Sequence, residues 1–222
     1  MSGSATVPES MSEPSCSDAG GVVEFFALVA YLPEPVATFL SGLRHELDPR
    51  FCGRPHLTIL PPRPLGFSPS MVWREVQQLL SSSHPIRVGL GDVETFSESH
   101  VIFLQLSTGA SEIEILHQRL NTGKANYPEP WKFHPHVTLA HGVCAEKFQA
   151  TSIDARARWA EYCGPRSFSM TQLDWVKTSV HTDPANVGNR GLVRSDSEWA
   201  DLEHWNLGAP LRQSEELQGS QN

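Results

Sequence analysis

Three observations predict a duplicated fold that mixes strands and helices. The segment HPHVTLAH (134–141) is echoed upstream by RPHLTIL (54–60), and both place His-x-Thr within an apolar, strand-like run. Each copy follows a predicted strand and helix and precedes another helix and strand, so the two halves share one element order. The 80 positions between His56 and His136 are too many for a solenoid repeat and suit a duplicated half-domain.

The elements follow in order. VEFFALVAYL (23–32) is apolar, aromatic and long enough for a buried strand. Val36, Phe39, Leu40, Leu43 and Leu47 then recur at the spacing of one helix face. HLTIL (56–60) reads as a short strand stopped by Pro61 and Pro62, because proline cannot donate to a central ladder. Ser68 as N-cap and Pro69 in the first turn open a helix with Val72, Val76, Leu79 and Leu80 on one side. IRVGLGDVETF (86–96) is the third strand. In the second half HVIFLQLS (100–107) is a strand, Ser111 with Glu114 forms a capping box before a helix bearing Ile113, Leu116 and Leu120, and HPHVTLA is the motif strand. A helix from about Ala145 to Tyr162 and one strand from about Ser167 to Ser179 complete the round. HTDPANVGNRG (181–191) reads as a turn-rich loop, and WADLEHWNLG as a final edge strand or docking segment.

Composition narrows the function classes. The first 21 residues are rich in Ser, Pro and Gly without a signal peptide's basic and apolar blocks, and 209–222 form a polar tail, so both ends are expected to be disordered. No apolar run reaches the ~20 residues a membrane helix needs. Cys16, Cys52, Cys144 and Cys163 form no CxxC pair and read as reduced thiols, so a soluble, cytoplasmic, monomeric protein is expected, with no obligate protein partner. A net charge of −8 argues against broad capture of long nucleic acid. A nucleic-acid substrate would be held at one end or one phosphate.

On a strand, residues two apart share a face, so His56 and Thr58 point one way while Leu57 and Ile59 point the other. His136 and Thr138 stand in the same relation to Val137 and Leu139. If the halves pack about a pseudo-two-fold axis, two imidazoles and two hydroxyls meet around one small group. That set suits in-line phosphoryl transfer: one neutral imidazole takes a proton from the nucleophile, one imidazolium gives a proton to the leaving oxygen, and the hydroxyls stabilise the non-bridging oxygens. Such chemistry requires neither metal nor cofactor. A single His-x-Thr strand would carry little weight, since Thr is a good strand former; two in matching surroundings carry far more.

PHLTIL and PHVTLAH resemble the paired His-x-Thr motifs of the two-histidine (2H) phosphoesterases, which include the RNA 2′,3′-cyclic phosphodiesterases also called 2′-5′ RNA ligases. The resemblance spans about residues 22–207. It implies an α+β fold of one bilobal domain over about 22–208, with lobe halves near 22–97 and 98–180, mainly antiparallel sheets lining a central cleft, and helices outside. It implies catalytic roles for His56, Thr58, His136 and Thr138, with an RNA 3′ end or a cyclic nucleotide as substrate. The implied reaction opens a 2′,3′-cyclic phosphate to a 2′-phosphate, or makes 2′-5′ linkages in reverse. A non-catalytic module binding a nucleotide or RNA end is the alternative. One position departs from the RNA-acting pattern: His141 stands where an Arg often follows the second motif, and strand parity would turn it toward the core.

Arg54 and Lys132 precede the motif histidines at a parity that directs them to the cleft, where either would supply positive charge. Tyr127, Trp131 and Phe133 offer aromatic faces for a base, with Trp131 the candidate and core packing expected for at least two of the three. His134, His136 and His141 as metal ligands would need a further ligand and would leave His56 unexplained. His45, His84, His100, His117, His181 and His204 show no pairing and read as surface residues.

Overall fold

The computed structural model describes residues 22–49, 53–181 and 199–209. The expected N-terminal tail, all but the first residue of the expected C-terminal tail, and all but the first residue of the 181–191 loop lie outside the described residues.

The chain runs β1 (Val22–Tyr31), α1 (Val36–Leu47), β2 (His56–Arg63), α2 (Pro69–Leu80), β3 (Ile86–Phe96), β4 (Val101–Thr108), α3 (Ala110–Leu120), β5 (His136–Ala140), α4 (Ala145–Ala160), β6 (Ser167–Met170), β7 (Gln172–His181) and β8 (Ala200–Asn206). Two four-stranded sheets result, in the orders β2-β1-β7-β8 and β5-β4-β3-β6. All their ladders are antiparallel. The expected α+β architecture, duplicated and built on antiparallel sheets, is the one observed.

Sheet membership does not follow the expected halves 22–97 and 98–180. The last strand of the first repeat, β3, pairs with β4 of the second, and β7 of the second repeat pairs with β1 of the first. The expected single strand over 167–179 is likewise two: it breaks at Thr171, so β6 pairs with β3 in one sheet and β7 with β1 in the other. One stretch of chain thus serves both sheets.

Other departures have local causes. β2 runs through Pro61 and Pro62 to Arg63. It can do so because it is an edge strand, and because an extra residue is absorbed where the pairing shifts from Leu28↔Leu60 to Phe26↔Arg63. The capping box at Ser111 is absent: α3 starts two residues earlier than that box would set, with Gly109 as its N-cap at φ 89. Only glycine fits there, since a Cβ would lie 2.5 Å from the Arg87 carbonyl oxygen. Ser68 does precede α2, although its hydroxyl makes no cap hydrogen bond.

The main core cluster joins the helix-facing sides of both sheets to the apolar faces of the helices, and a smaller one of Ala27, Val29 and Val176 lies across β1 and β7. Leu57, Ile59, Val137 and Leu139 are all 0% exposed, while His56, Thr58, His136 and Thr138 are half-buried on the other face. Each fully buried aliphatic side chain is worth about 1.5–3 kcal/mol. A one-residue slip of either motif strand would forfeit two of them, so the core fixes which residues face the cleft.

Candidate active site

β2 and β5 touch where the two sheets meet, with α1 packed on β5 and α3 on β2. Each helix therefore supports the motif strand of the other repeat. From α1, Arg44 (1% exposed) donates from Nε to the Thr138 carbonyl at 2.8 Å and from Nη1 to the Gly53 carbonyl at 3.1 Å. From α3, the ring Nδ1 of His117 lies 2.8 Å from the Ile59 carbonyl oxygen. One buried cation thus ties the second motif strand to the approach to the first.

The motif histidines are held alike. His56 Nδ1 lies 2.7 Å from the Arg54 carbonyl oxygen, and His136 Nδ1 lies 2.7 Å from the His134 carbonyl oxygen. A carbonyl only accepts, so Nδ1 carries the proton in both rings and Nε2 bears the lone pair of each neutral imidazole. His56 sits edge-on to Tyr31 and against Trp199. His136 packs against Phe96 and Phe103 at centroid distances of 5.3 and 5.0 Å.

Burial holds His56 down to a pKa of about 4, helped by the Arg44 cation and by His136. Burial lowers His136 as well, as does the neighbouring His134, against the hydrogen bond to the His134 carbonyl. Both rings are therefore neutral at neutral pH. Arg44 itself is lowered by burial to about 9.

The remaining candidates divide. Arg54 does lie beside His56, but its guanidinium stacks 3.6 Å over the Tyr31 ring and faces Asp201 at 3.5 Å. Lys132 is exposed. Trp131 is 73% exposed and makes no ring contact with either motif histidine among the described residues. Phe133 stacks on His117 at 3.7 Å, and Tyr127 lies half-buried beneath Arg63, so packing accounts for both. β5 ends at Ala140, which leaves His141 half-buried just past the strand, where parity no longer assigns it a face. Among the described residues no three His, Cys, Asp or Glu side chains converge as metal ligands, so the metal reading of His134, His136 and His141 lacks its set.

Expectation fails at His117, which is 5% exposed rather than a surface residue. It joins a buried network in which Glu129 faces His117 at 3.4 Å and Arg63 at 2.8 Å, while Arg63 also bonds Asn121 and the Ala125 carbonyl. That network anchors the segment leading into β5. Arg44 and Tyr31 were missed, yet each left a signal: Arg44 falls in the apolar stripe of α1 beside Leu40 and Leu43, and Tyr31 closes an otherwise apolar strand.

Residues 32–182 match the 2′-5′ RNA ligase superfamily. No curated protein matches the chain. Among solved structures, Escherichia coli LigT complexed with 3′-AMP aligns with a TM-score of 0.53 at 17% identity, covering 84% of this chain and 99% of LigT. LigT in its apo form aligns at 0.52 with 17% identity over 85% and 99%, and LigT complexed with NADP+ at 0.51 with 19% identity over 84% and 99%. At such identities the likeness is one of fold. The family match spans well over half of the sequence, and the chain belongs to the 2′-5′ RNA ligase superfamily.

Proposed function

We propose that the protein is a metal-independent phosphodiesterase that opens 2′,3′-cyclic phosphates of RNA ends or nucleotides to 2′-phosphates, and that forms a 2′-5′ linkage, reversibly, when a 5′-hydroxyl replaces water as the nucleophile. The observation that carries this reading is the matched tethering of His56 and His136 through Nδ1, which leaves two Nε2 atoms for proton transfer. Water attacks phosphorus as one Nε2 takes its proton; the bond from phosphorus to O3′ breaks as the other ring protonates O3′, and O2′ keeps the phosphate. Thr58 and Thr138 are read as hydrogen-bond donors to the non-bridging oxygens. The charge of Arg44 bears on His56 and is not a cause of the His136 shift, so His56 is the ring that better resists protonation, and we assign it the base. LigT structures hold 3′-AMP and NADP+, which supports a nucleotide in the equivalent cleft. Exposed Cys144 and Cys163 form no disulfide, which fits a reducing compartment such as the cytoplasm.

The test is to incubate the protein with 2′,3′-cyclic nucleotides in EDTA and identify the product by phosphorus NMR. A 2′-phosphate is expected. No product, with binding retained, would move the protein to the binding-module class, and a 3′-phosphate would reverse the assigned bond cleavage.

A further inference from the structure

Beside His56 lies a cavity of about 350 Å³ whose lining includes Tyr31, Arg54, Gln172, Asp174 and Asp201. It forms where the chain crosses from β6 to β7. Its size is within the ~300–1,000 Å³ typical of small-molecule sites. The cavity adjoins the candidate catalytic groups directly: Tyr31 is the cross-strand partner of His56, their ring centroids are 6.4 Å apart, and the Arg54 carbonyl fixes His56 Nδ1.

Its polar groups have distinct tasks available. The Arg54 guanidinium rests 3.6 Å over Tyr31 with its side chain 64% exposed, so one face of a flat cation stays open. Asp201 holds this plate, facing Arg54 at 3.5 Å and accepting the Tyr31 hydroxyl at 2.5 Å. Asp174 is only 7% exposed. Its Oδ1 accepts from Gln172 Nε2 at 2.7 Å, and its Oδ2 has no hydrogen-bond partner among the described residues. Burial raises the Asp174 pKa, as does Asp201, against the Gln172 hydrogen bond. A carboxyl half withdrawn from solvent, with one oxygen still open to it, gains from a ligand that brings N–H donors.

We propose that this cavity takes the base of the nucleotide whose phosphate lies between the histidines, stacks it on the Arg54 guanidinium, reads its donor edge with Asp174, and so favours guanine. The inference rests on the phosphoesterase reading and deepens it. Guanine presents adjacent N1–H and N2–H donors, a pair that one carboxylate accepts together. Adenine and cytosine set a single amino donor beside an acceptor. Uracil places its one N–H between two carbonyls, which would face the carboxylate charge.

The experiment measures kcat/KM for the four 2′,3′-cyclic nucleoside monophosphates, with titrations of 2′-GMP and 2′-UMP, on the wild type, Asp174→Asn and Gln172→Leu. A guanine-over-uracil preference of about 10- to 100-fold is expected, the size of one bidentate base contact. Asp174→Asn should reduce it to below about threefold, and Gln172→Leu, at an exposed position, supplies a second reading if the buried substitution fails to fold. Turnover of all four compounds within twofold of one another would overturn base reading while leaving the phosphodiesterase reading intact. Absent turnover with 2′-GMP preferred over 2′-UMP would support the cavity and sink the reaction instead. Tetranucleotides ending in guanosine or uridine 2′,3′-cyclic phosphate extend the test to RNA ends, where loss of the preference would confine the inference to mononucleotides.

Discussion

If His56 and His136 flank one anion, as proposed, protonation becomes part of binding. Burial holds His56 to a pKa of about 4 and lowers His136 too, so neither ring by itself is an acid at neutral pH. A bound phosphate restores the stabilisation of the charged form that burial removed, so it should raise at least one ring and take up a proton. Inorganic phosphate and 2′-AMP should therefore bind more tightly as pH falls from 8 to 6, and calorimetry in buffers of different ionisation enthalpy should register net proton uptake; pH-independent affinity would contradict this. The same shift bears on stability. Above pH 6.5 His56 is neutral whether folded or unfolded and contributes no slope; between 6.5 and about 4 the unfolded chain binds the proton first, so stability falls with pH through that window. Thermal melts across pH 4–7 should show that loss, and His56→Ala should flatten it. His56→Ala and His136→Ala are each expected to lower kcat by at least about 10²-fold with a cooperative melt retained, as removal of one general acid or base does. Thr58→Val and Thr138→Val should cost roughly 3 kcal/mol in kcat/KM, and losses below tenfold would make those hydroxyls structural.

At the level of elements, the segment entering β5 shows how position is enforced from below. Arg63 is 1% exposed and makes its charge pair with Glu129, itself 13% exposed, so removing either partner strands a buried ion. Arg63→Met or Glu129→Leu should destabilise by about 3–5 kcal/mol in denaturant melts, whereas exposed Lys132→Ala should change stability by less than about 0.5 kcal/mol. The strand alternation that separates the two faces was legible in both motifs because polar and apolar residues alternate from His56 to Ile59 and from His136 to Leu139. Helix faces were legible for the same reason. Less visible was anything set by a distant neighbour: the start of α3 depends on how closely Gly109 approaches the Arg87 carbonyl, and passage of β2 through two prolines depends on its edge position. His117 looked solitary because its partners, Glu129, Phe133 and the Ile59 carbonyl, converge on it only in three dimensions.

For the whole molecule, the repeat was readable but its pairing was not, since the element order is the same whether a third strand returns to its own sheet or crosses to the other. Here both cross. β3 buries Val88, Leu90 and Val93 against the second repeat, and β7 buries Trp175 and Val176 against the first. A chain cut after residue 97 would therefore carry a strand whose apolar residues have no sheet to join. Such a fragment is expected to precipitate, or to exchange third strands with a second copy and form a two-fold dimer; light scattering on residues 22–97 distinguishes both outcomes from a folded monomer, which would refute the argument. The exchange has a historical corollary. An ancestral single repeat obeying this topology would have been an obligate pair, and the cleft would have held two identical His-x-Thr strands before fusion joined them. Fusion would then have freed the two sides to diverge, one now carrying Arg44 beneath its neighbour's motif and the other His117. The asymmetry that distinguishes the two histidines would then be younger than the site itself.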